Sequence, residues 1–386
     1  MERILINKVD RKFEDEITER IGEAISCCIQ CGTCTGNCLV ANVDSNYNPR
    51  KMLHMLLSRT KDYFKEKPEL PYSCNLCELC KKTCPRGLNI GELNLALREW
   101  LVAEGVGPLS RHKAAIEEME WALSPSFTLS LPDPDTTECK RVFFPGCNLS
   151  AYSPSLVIAT WDYLREKLPG TGIILRCCGA PAHHLGELSR SQEVVAGLES
   201  EVNKLGASEV ITPCPDCYRH LKRATPNFEL KSVYEVLLET GVPRTSQDGG
   251  RTFSLHDSCT ARWETKLHND VREIIKLAGY QIEELTHSRE LTLCCGVGGL
   301  ILPLNLVRVM RITKERVAEA HHDMLTYCAA CRETFAPHKP SLHVLDLLFN
   351  PNWEKDMHQS AKKPPARRDN QARLKSLLAK NGGKSP

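Results

Sequence analysis

Short apolar, β-branched runs alternate with longer amphipathic stretches over most of the chain beyond residue 140. Arg141–Phe144, Ile173–Arg176 and Glu209–Thr212 read as strands, with helix-like Leu156–Leu168 and Gln192–Leu205 between them. The pattern then recurs. Phe253–His256, Leu291–Leu293 and Met324–Thr326 read as strands, and His268–Leu277 and Val307–Ala320 as helices. Strands alternating with helices predict parallel α/β layers. Ahead of them the periodicity is helical, over Glu14–Ile25, Pro49–Ser58, Ile90–Glu104 and Arg111–Leu123. Ser124-Pro125-Ser126 and Pro132-Asp133-Pro134-Asp135 then interrupt both patterns and predict a linker. The apolar stripe in Leu302–Val317 reads as core.

Composition changes this picture at one point, the 20 cysteines among 386 residues. The net charge of +2 excludes a nucleic-acid binder defined by global basicity. No apolar run reaches the ~18 residues of a membrane span, and Met1–Asp10 lacks the apolar core of a signal peptide. The expectation is a cytoplasmic protein, reaching the inner face of a membrane only through a partner. Thiols in that compartment hold metal more readily than disulfides.

The cysteines are clustered and the second group is in register with itself. Cys147 to Cys259 is 112 positions (259 − 147), Cys177 to Cys294 is 117 (294 − 177) and Cys214 to Cys328 is 114 (328 − 214). Each half reads one cysteine, then an adjacent pair plus glycine (Cys177-Cys178-Gly179; Cys294-Cys295-Gly296), then C-x-x-C (Cys214 and Cys217; Cys328 and Cys331). Similar apolar flanks precede and follow these motifs, so the region is a duplicated domain. Every motif is expected at or just past the C-terminal end of a strand, where open α/β sheets bind ligands.

The first group has another spacing. Cys28-x-x-Cys31-x-x-Cys34-x-x-x-Cys38 and Cys74-x-x-Cys77-x-x-Cys80-x-x-x-Cys84-Pro85 resemble the runs of bacterial two-cluster ferredoxins, in which the fourth cysteine serves the other cluster. That implies one cubane [4Fe–4S] cluster on Cys28, Cys31, Cys34 and Cys84, and a second on Cys74, Cys77, Cys80 and Cys38. Gly32 and Gly36 are expected to let the backbone approach the sulfides. Zinc fits less well, since tetrahedral Cys₄ sites usually come as two C-x-x-C pairs. Cys27 and Cys139 are spare. The first run departs from the ferredoxin pattern, with Leu39 rather than proline after its last cysteine.

Five thiols per repeat, Cys147, Cys177, Cys178, Cys214 and Cys217, then Cys259, Cys294, Cys295, Cys328 and Cys331, are one too many for a zinc ion or an ordinary cubane. Either each repeat binds a cluster with an unusual ligand set, or one thiol is free for chemistry. The double pattern resembles the cysteine-rich CCG domain of heterodisulfide reductase and related iron–sulfur oxidoreductases. Cys28-Ile29-Gln30-Cys31-Gly32-Thr33-Cys34-Thr35 is similar to that enzyme's ferredoxin-like subunit. The resemblance spans roughly residues 15 to 350. It implies an α-helical ferredoxin-like N-terminal domain (1–125) and a linker (126–138). A duplicated α/β cysteine-rich CCG domain (139–250 and 251–350) follows; beyond it, nine Lys and Arg against three acidic residues from Asn352 onward, with Pro364-Pro365 and Gly382-Gly383, predict a basic, disordered tail (351–386).

It further implies two non-cubane [4Fe–4S] clusters, one per five-thiol set, fed by the two cubanes, with a disulfide reduced between them one electron at a time. The chain would be a catalytic oxidoreductase subunit. Its partners would be a thiol or disulfide small molecule and an electron-transfer protein, either a flavoprotein or a membrane cytochrome subunit. The alternative is an iron–sulfur electron-transfer subunit of a quinone-linked glycerol-3-phosphate, glycolate or lactate dehydrogenase, with substrate chemistry on another chain.

Weaker signals fall around these motifs. His183, His184 and His256 lie beside the cysteines and are candidates to protonate a leaving thiolate. Arg262 and Arg332 are expected to offset cluster charge. Cys295-Gly296-Val297-Gly298-Gly299 is no dinucleotide fingerprint, because Ile301 stands where the last glycine belongs; these glycines are expected to admit backbone to a cluster or ligand.

Overall fold

Two asparagines start the helices that frame the N-terminal part of the chain. Asn48 accepts a hydrogen bond from the Lys51 N–H with Pro49 at the first helical position, and Asn89 accepts from Gly91 and Glu92. Both are strong caps for otherwise unpaired N–H groups. The computed structural model describes residues 11–21, 25–58, 61–243 and 250–380. Helices Arg11–Ile21 (α1), Pro49–Leu57 (α2) and Ile90–Ala103 (α3) carry the first unit. Trp100 of α3 packs its ring 4.7 Å from Phe13 of α1, and Leu93, Leu97 and Leu101 are buried beside it. The cysteine runs occupy loops and short turns between α1 and α3.

This unit comprises the chain up to Ala115 together with Pro181–Leu188 and Leu293–Glu315. Those two excursions leave the repeats at equivalent places, directly after or at each cysteine pair. Sequence boundaries at 125, 139 and 251 do not anticipate them. Close backbone packing of glycine explains their placement. A Cβ on Gly186 would meet the Arg98 carbonyl carbon at 2.5 Å, and one on Gly299 would meet the Cys74 carbonyl oxygen at 2.3 Å.

The second unit holds two sheets. The first contains Leu129–Leu131 (β1), Arg141–Phe143 (β2), Thr171–Leu175 (β3), Glu209–Thr212 (β4) and Glu229–Ser232 (β5), in the order β1-β3-β2-β4-β5. Only β1 runs antiparallel. Gly146–Tyr152 (α4), Pro154–Lys167 (α5), Leu188–Lys204 (α6) and Pro215–Ala224 (α7) connect these strands, and Val233–Thr240 (α8) follows β5. The second sheet contains Thr252–His256 (β6), Gln281–Glu284 (β7), Met324–Thr326 (β8) and Ser341–His343 (β9), all parallel, ordered β7-β6-β8-β9. Thr265–Leu277 (α9), Leu306–Ala318 (α10), Ala329–Phe335 (α11) and Val344–Phe349 (α12) belong to this repeat. The central strands are apolar on both faces, as a parallel sheet covered on both sides requires.

The repeats pack reciprocally. Helix α7, which carries the C-x-x-C of the first repeat, lies on the Cys259–Ala261 turn of the second. Helix α11, which carries the C-x-x-C of the second, lies on α4 of the first. Likewise α5 meets α12 and α8 meets α9. Matched contacts of this kind are the signature of a pseudo-two-fold relation.

Four features depart from the sequence reading. The expected linker contributes β1, which pairs with β3 from Leu129 opposite Leu175 to Leu131 opposite Ile173. Leu291–Leu293 is not a strand, since Arg289–Leu291 forms a 3₁₀ turn and the place beside β6 is taken by β7. Cys294 therefore lies ten residues beyond the last strand residue, Glu284, rather than at a strand end. Over residues 351–380 the chain is not a disordered tail, because Trp353–Asp356 and Pro364–Lys380 (α13) are helical; the last six residues of the expected tail lie outside the described residues. Leu374 and Leu378 of α13 are buried against α4 and α5. Finally, Leu302, Leu306, Val307 and Met310 are exposed and not core; the buried face of α10 is formed by Arg308, Val309, Ile312, Thr313 and Arg316.

Candidate metal centres

In the first unit the two C-x-x-C turns fold alike. Gln30 (φ 55°) and Leu76 (φ 51°) sit third in each turn, and Gly32 (φ 83°) and Glu78 (φ 57°) fifth, all left-handed. Such backbone costs a side-chain-bearing residue about 1–2 kcal/mol. The curl turns N–H groups toward sulfur. Gln30 donates its backbone N–H to Cys28 Sγ and Leu76 to Cys74 Sγ, each at 3.4 Å. Gly36, expected to act like Gly32, has no close neighbour that a Cβ would meet.

Cys28, Cys31, Cys34 and Cys84 line one cavity, together with Arg50 and Arg86. Around Cys38 the grouping is electrostatic. Burial, then the neighbouring thiolates of Cys74 and Cys77, pushes Cys38 up to about 12. Cys80 is raised well above its usual value by burial and by Cys74, Cys77 and Cys38. The last cysteine of each run thus lies with the first three of the other. Buried thiols that oppose one another's ionisation suit an iron–sulfur group, whose positive iron stabilises thiolates together. Among the described residues, no three His, Cys, Asp or Glu side chains converge as a single metal ion would require.

In the first repeat all five thiols touch in series. Cys147 hydrogen-bonds Cys177, Cys177 bonds Cys178, Cys178 bonds Cys217, and Cys217 bonds Cys214. Hydrogen bonds from Cys177 and Cys217 lower Cys178 to about 7, whereas Cys147 and Cys217 are pushed well up. Adjacent cysteines share the site because the next residue turns. Gly179 has φ 93° and Gly296 φ 117°, and their N–H groups point at Cys177 Sγ (3.5 Å) and Cys294 Sγ (3.4 Å). Of the second set, Cys259, Cys328 and Cys331 belong to the second unit and Cys294 and Cys295 to the first. A hydrogen bond from Cys331 lowers Cys328.

Within the second unit the two sets approach each other. The Asp216 carboxyl, inside the first C-x-x-C, is raised by burial, and its charge acts on Cys147, Cys178 and also Cys328 of the other repeat. The buried Tyr234 hydroxyl feels both Cys328 and Cys214. The second repeat has Ala330 in the place of Asp216. The two C-x-x-C segments therefore approach each other with a carboxyl on one side only.

The other predicted residues are placed as follows. His183 and His184 are half-buried on the short Ala180–Leu185 helix. His256 is fully buried, accepts from Arg316 Nε at 3.0 Å and packs edge-on against Phe335. Burial, then Arg316, drives it far below its ordinary value, so it stays a neutral core histidine. Arg262 donates to the Glu290 and Thr292 carbonyls, and Arg332 to those of Ser341, Asp356 and Gln359. Arg332 also pairs with the Glu333 carboxylate at 2.8 Å. Sequence reading missed Asp216 and Tyr47, whose hydroxyl hydrogen-bonds Cys74, because only the fold brings them to sulfur. It also missed α13, where Gln371 donates to the Cys147 carbonyl at 2.9 Å and Arg367 to Asn148 at 2.7 Å.

Residues 24–88 match the 4Fe-4S dicluster domain family, and 141–222 and 253–336 each match the cysteine-rich domain family. The chain is 23% identical over 300 residues to one subunit of the dihydromethanophenazine:CoB–CoM heterodisulfide reductase of Methanosarcina barkeri, covering 70% of this chain and 73% of that one. It is 23% identical over 370 residues to EtfAB:quinone oxidoreductase from Syntrophomonas wolfei, covering 77% of this chain and 51% of the relative. A crystal structure of a hypothetical protein from Helicobacter pylori shares the fold at TM-score 0.53 and 10% identity, covering 94% of this chain and 75% of that one. Among the described residues no helix is long and apolar enough to cross a membrane.

Proposed function

This chain belongs to the heterodisulfide-reductase-like family of iron–sulfur oxidoreductases, and within it we propose a catalytic subunit that reduces, or in reverse forms, a disulfide between two small thiols. The observation that carries the reading is the reciprocal packing of the repeats, with the C-x-x-C of each on the first-cysteine segment of the other. A disulfide is consumed as RS–SR′ + 2 e⁻ + 2 H⁺ → RSH + R′SH. Two facing thiolate sets can serve one sulfur each.

The proposed ligand groups are Cys28, Cys31, Cys34 and Cys84, then Cys38, Cys74, Cys77 and Cys80, for two cubanes. Cys147, Cys177, Cys178, Cys214 and Cys217, then Cys259, Cys294, Cys295, Cys328 and Cys331, would hold two non-cubane clusters. Such clusters supply electrons singly, which is how a two-electron bond comes to need two of them. The half-buried His183 and His184 are the proposed proton donors to the released thiolates; His256 enters no proton step. Electrons would come from a partner protein at the N-terminal unit, consistent with relatives named as subunits of larger reductases.

The electron-relay reading keeps one specific support, the likeness to a quinone oxidoreductase. Anaerobic purification with iron quantitation and EPR decides between them. Four clusters require about sixteen iron per chain, and about eight would refute the four-cluster assignment. A paramagnetic signal that develops only on adding thiol supports disulfide chemistry; full iron without a thiol response favours the relay. Cys178→Ser is expected to remove a non-cubane signal and spare both cubanes.

A further inference from the structure

Arg98 of α3 is fully buried. Its guanidinium donates to four backbone carbonyls, Pro71 at 3.0 Å, Cys74 at 2.7 Å, His184 at 2.5 Å and Gly299 at 2.9 Å. Among the described residues it pairs with no carboxylate. The ionisable groups facing it are the Cys74 thiol, the hydroxyls of Tyr72 and Tyr47 and the His112 ring; burial keeps both tyrosines protonated, and burial with the Arg98 charge lowers His112 to about 4, so it stays neutral. Its face lies over the Tyr72 ring, 5.1 Å from the centroid.

Carbonyl dipoles solvate a buried cation but do not neutralise it, and an uncompensated interior charge is strongly unfavourable. The group able to supply the missing negative charge is Cys74 with the thiolates beside it. We propose that Arg98 is the fixed countercharge of the group held by Cys38, Cys74, Cys77 and Cys80, and that it raises the reduction potential of that cubane above that of the other. This rests on the cluster reading above.

Among the described residues the first cubane site has no such residue. Arg50 and Arg86 line its cavity but are exposed, so water and salt screen them. Arginine remains charged throughout the physiological range, so the bias it imposes is constant with pH. Electrons entering at the exposed Cys31 end would therefore run downhill to the buried cubane. Arg98 also fixes where they arrive. It ties the Cys74 turn to Gly299, while Asn75 donates to the Gly296 and Gly298 carbonyls at 3.0 and 3.3 Å, immediately after Cys294 and Cys295. Arg98 is thus a positioning residue whose charge sets the direction of flow.

The test is an EPR-monitored redox titration of the full chain, reconstituted anaerobically, as wild type, Arg98→Lys and Arg98→Met. Wild-type protein without iron or without two cubane signals would refute the cluster reading itself, before any variant is compared. With both signals present, Arg98→Met should lower the midpoint of one cubane and leave the other unmoved. At fixed potential the oxidised-to-reduced ratio should rise at least about tenfold, ~59 mV for a one-electron couple. One buried charge within about 10 Å exerts an effect of that order at an effective dielectric near 20. Arg98→Lys, which keeps the charge but cannot reach all four carbonyls, should hold iron at close to the wild-type potential. An unmoved or equally moved pair of midpoints in a loaded Arg98→Met overturns the proposal. If Arg98→Met does not load, Arg98→Lys decides: a loaded cluster at the wild-type midpoint supports a charge role, and loss of the cluster there too leaves only a backbone clamp.

Discussion

Asp257 lies two residues before Cys259 and is completely buried as a carboxylate. Arg272 answers it with both arms of its fork, at 3.0 and 2.7 Å. The Arg289 N–H and the Tyr327 hydroxyl complete the set at 2.6 and 3.2 Å. Against the upward push of burial, Arg272 and its hydrogen bonds hold the carboxyl below its usual range. A buried pair of this kind contributes little over an apolar pair, but breaking it strands a charge. Arg272→Leu is therefore expected to destabilise the fold by about 3–5 kcal/mol, read as a lower urea midpoint at pH 7. Adding Asp257→Asn should recover part of that loss. If the double variant is no more stable than the single, the stranded charge is not the cause. Asp257 and Arg272 stand fifteen positions apart, and nothing in the intervening sequence pairs them; the α/β crossover does so.

Elements were legible where burial is two-sided. β4 and β8 fall on Glu209–Thr212 and Met324–Thr326 as the apolar runs predict, and the cysteine spacing located both repeats. Edge strands were not legible. β7 is Gln-Ile-Glu-Glu and β5 is Glu-Leu-Lys-Ser, polar because one side meets water. The α13 helix was masked by its charge, since nine Lys and Arg from Asn352 onward outweigh Glu354, Asp356 and Asp369. Only Leu374, Leu378 and Gln371 are buried, too narrow a stripe to dominate composition. Those three dock the helix on α4, whose Cys147 carbonyl Gln371 caps. Leu374→Ala should cost about 2–4 kcal/mol of docking. Limited proteolysis reports it directly, with early cleavage between residues 357 and 363 in the variant and protection in the wild type. Equal protection in both would show that α13 is held by its polar contacts alone. The candidate site divides the same way: all the cysteines could be named from spacing, whereas Arg98, Asp216 and Tyr47 become neighbours of sulfur only through the fold.

At the scale of the whole molecule, duplication makes the interface between repeats the part most sensitive to conditions, because each repeat completes the other. Tyr152 of the first repeat donates its hydroxyl to Asp346 of the second at 2.8 Å, with both buried. Asp346 also accepts the His343 N–H at 3.0 Å and so starts α12. Burial outweighs these partners and raises its carboxyl to about 6, against about 3.9 in an unfolded chain. A raised carboxyl binds its proton more tightly in the folded state, so its contribution is most favourable below about pH 4. That contribution is lost as pH rises toward 6, by roughly 2–3 kcal/mol for this one group. Asp346→Asn keeps an acceptor for Tyr152 and for His343 while removing the titration. Melting followed from pH 4 to 7 should therefore show a smaller fall in stability for Asp346→Asn than for the wild type, with the curves separating as pH rises and the variant the more stable near pH 7. Parallel curves would mean that the Asp346 carboxyl is solvated enough to ionise at its ordinary value. The contact between Tyr152 and Asp346 would then not be the dry junction on which reciprocal packing of the repeats depends.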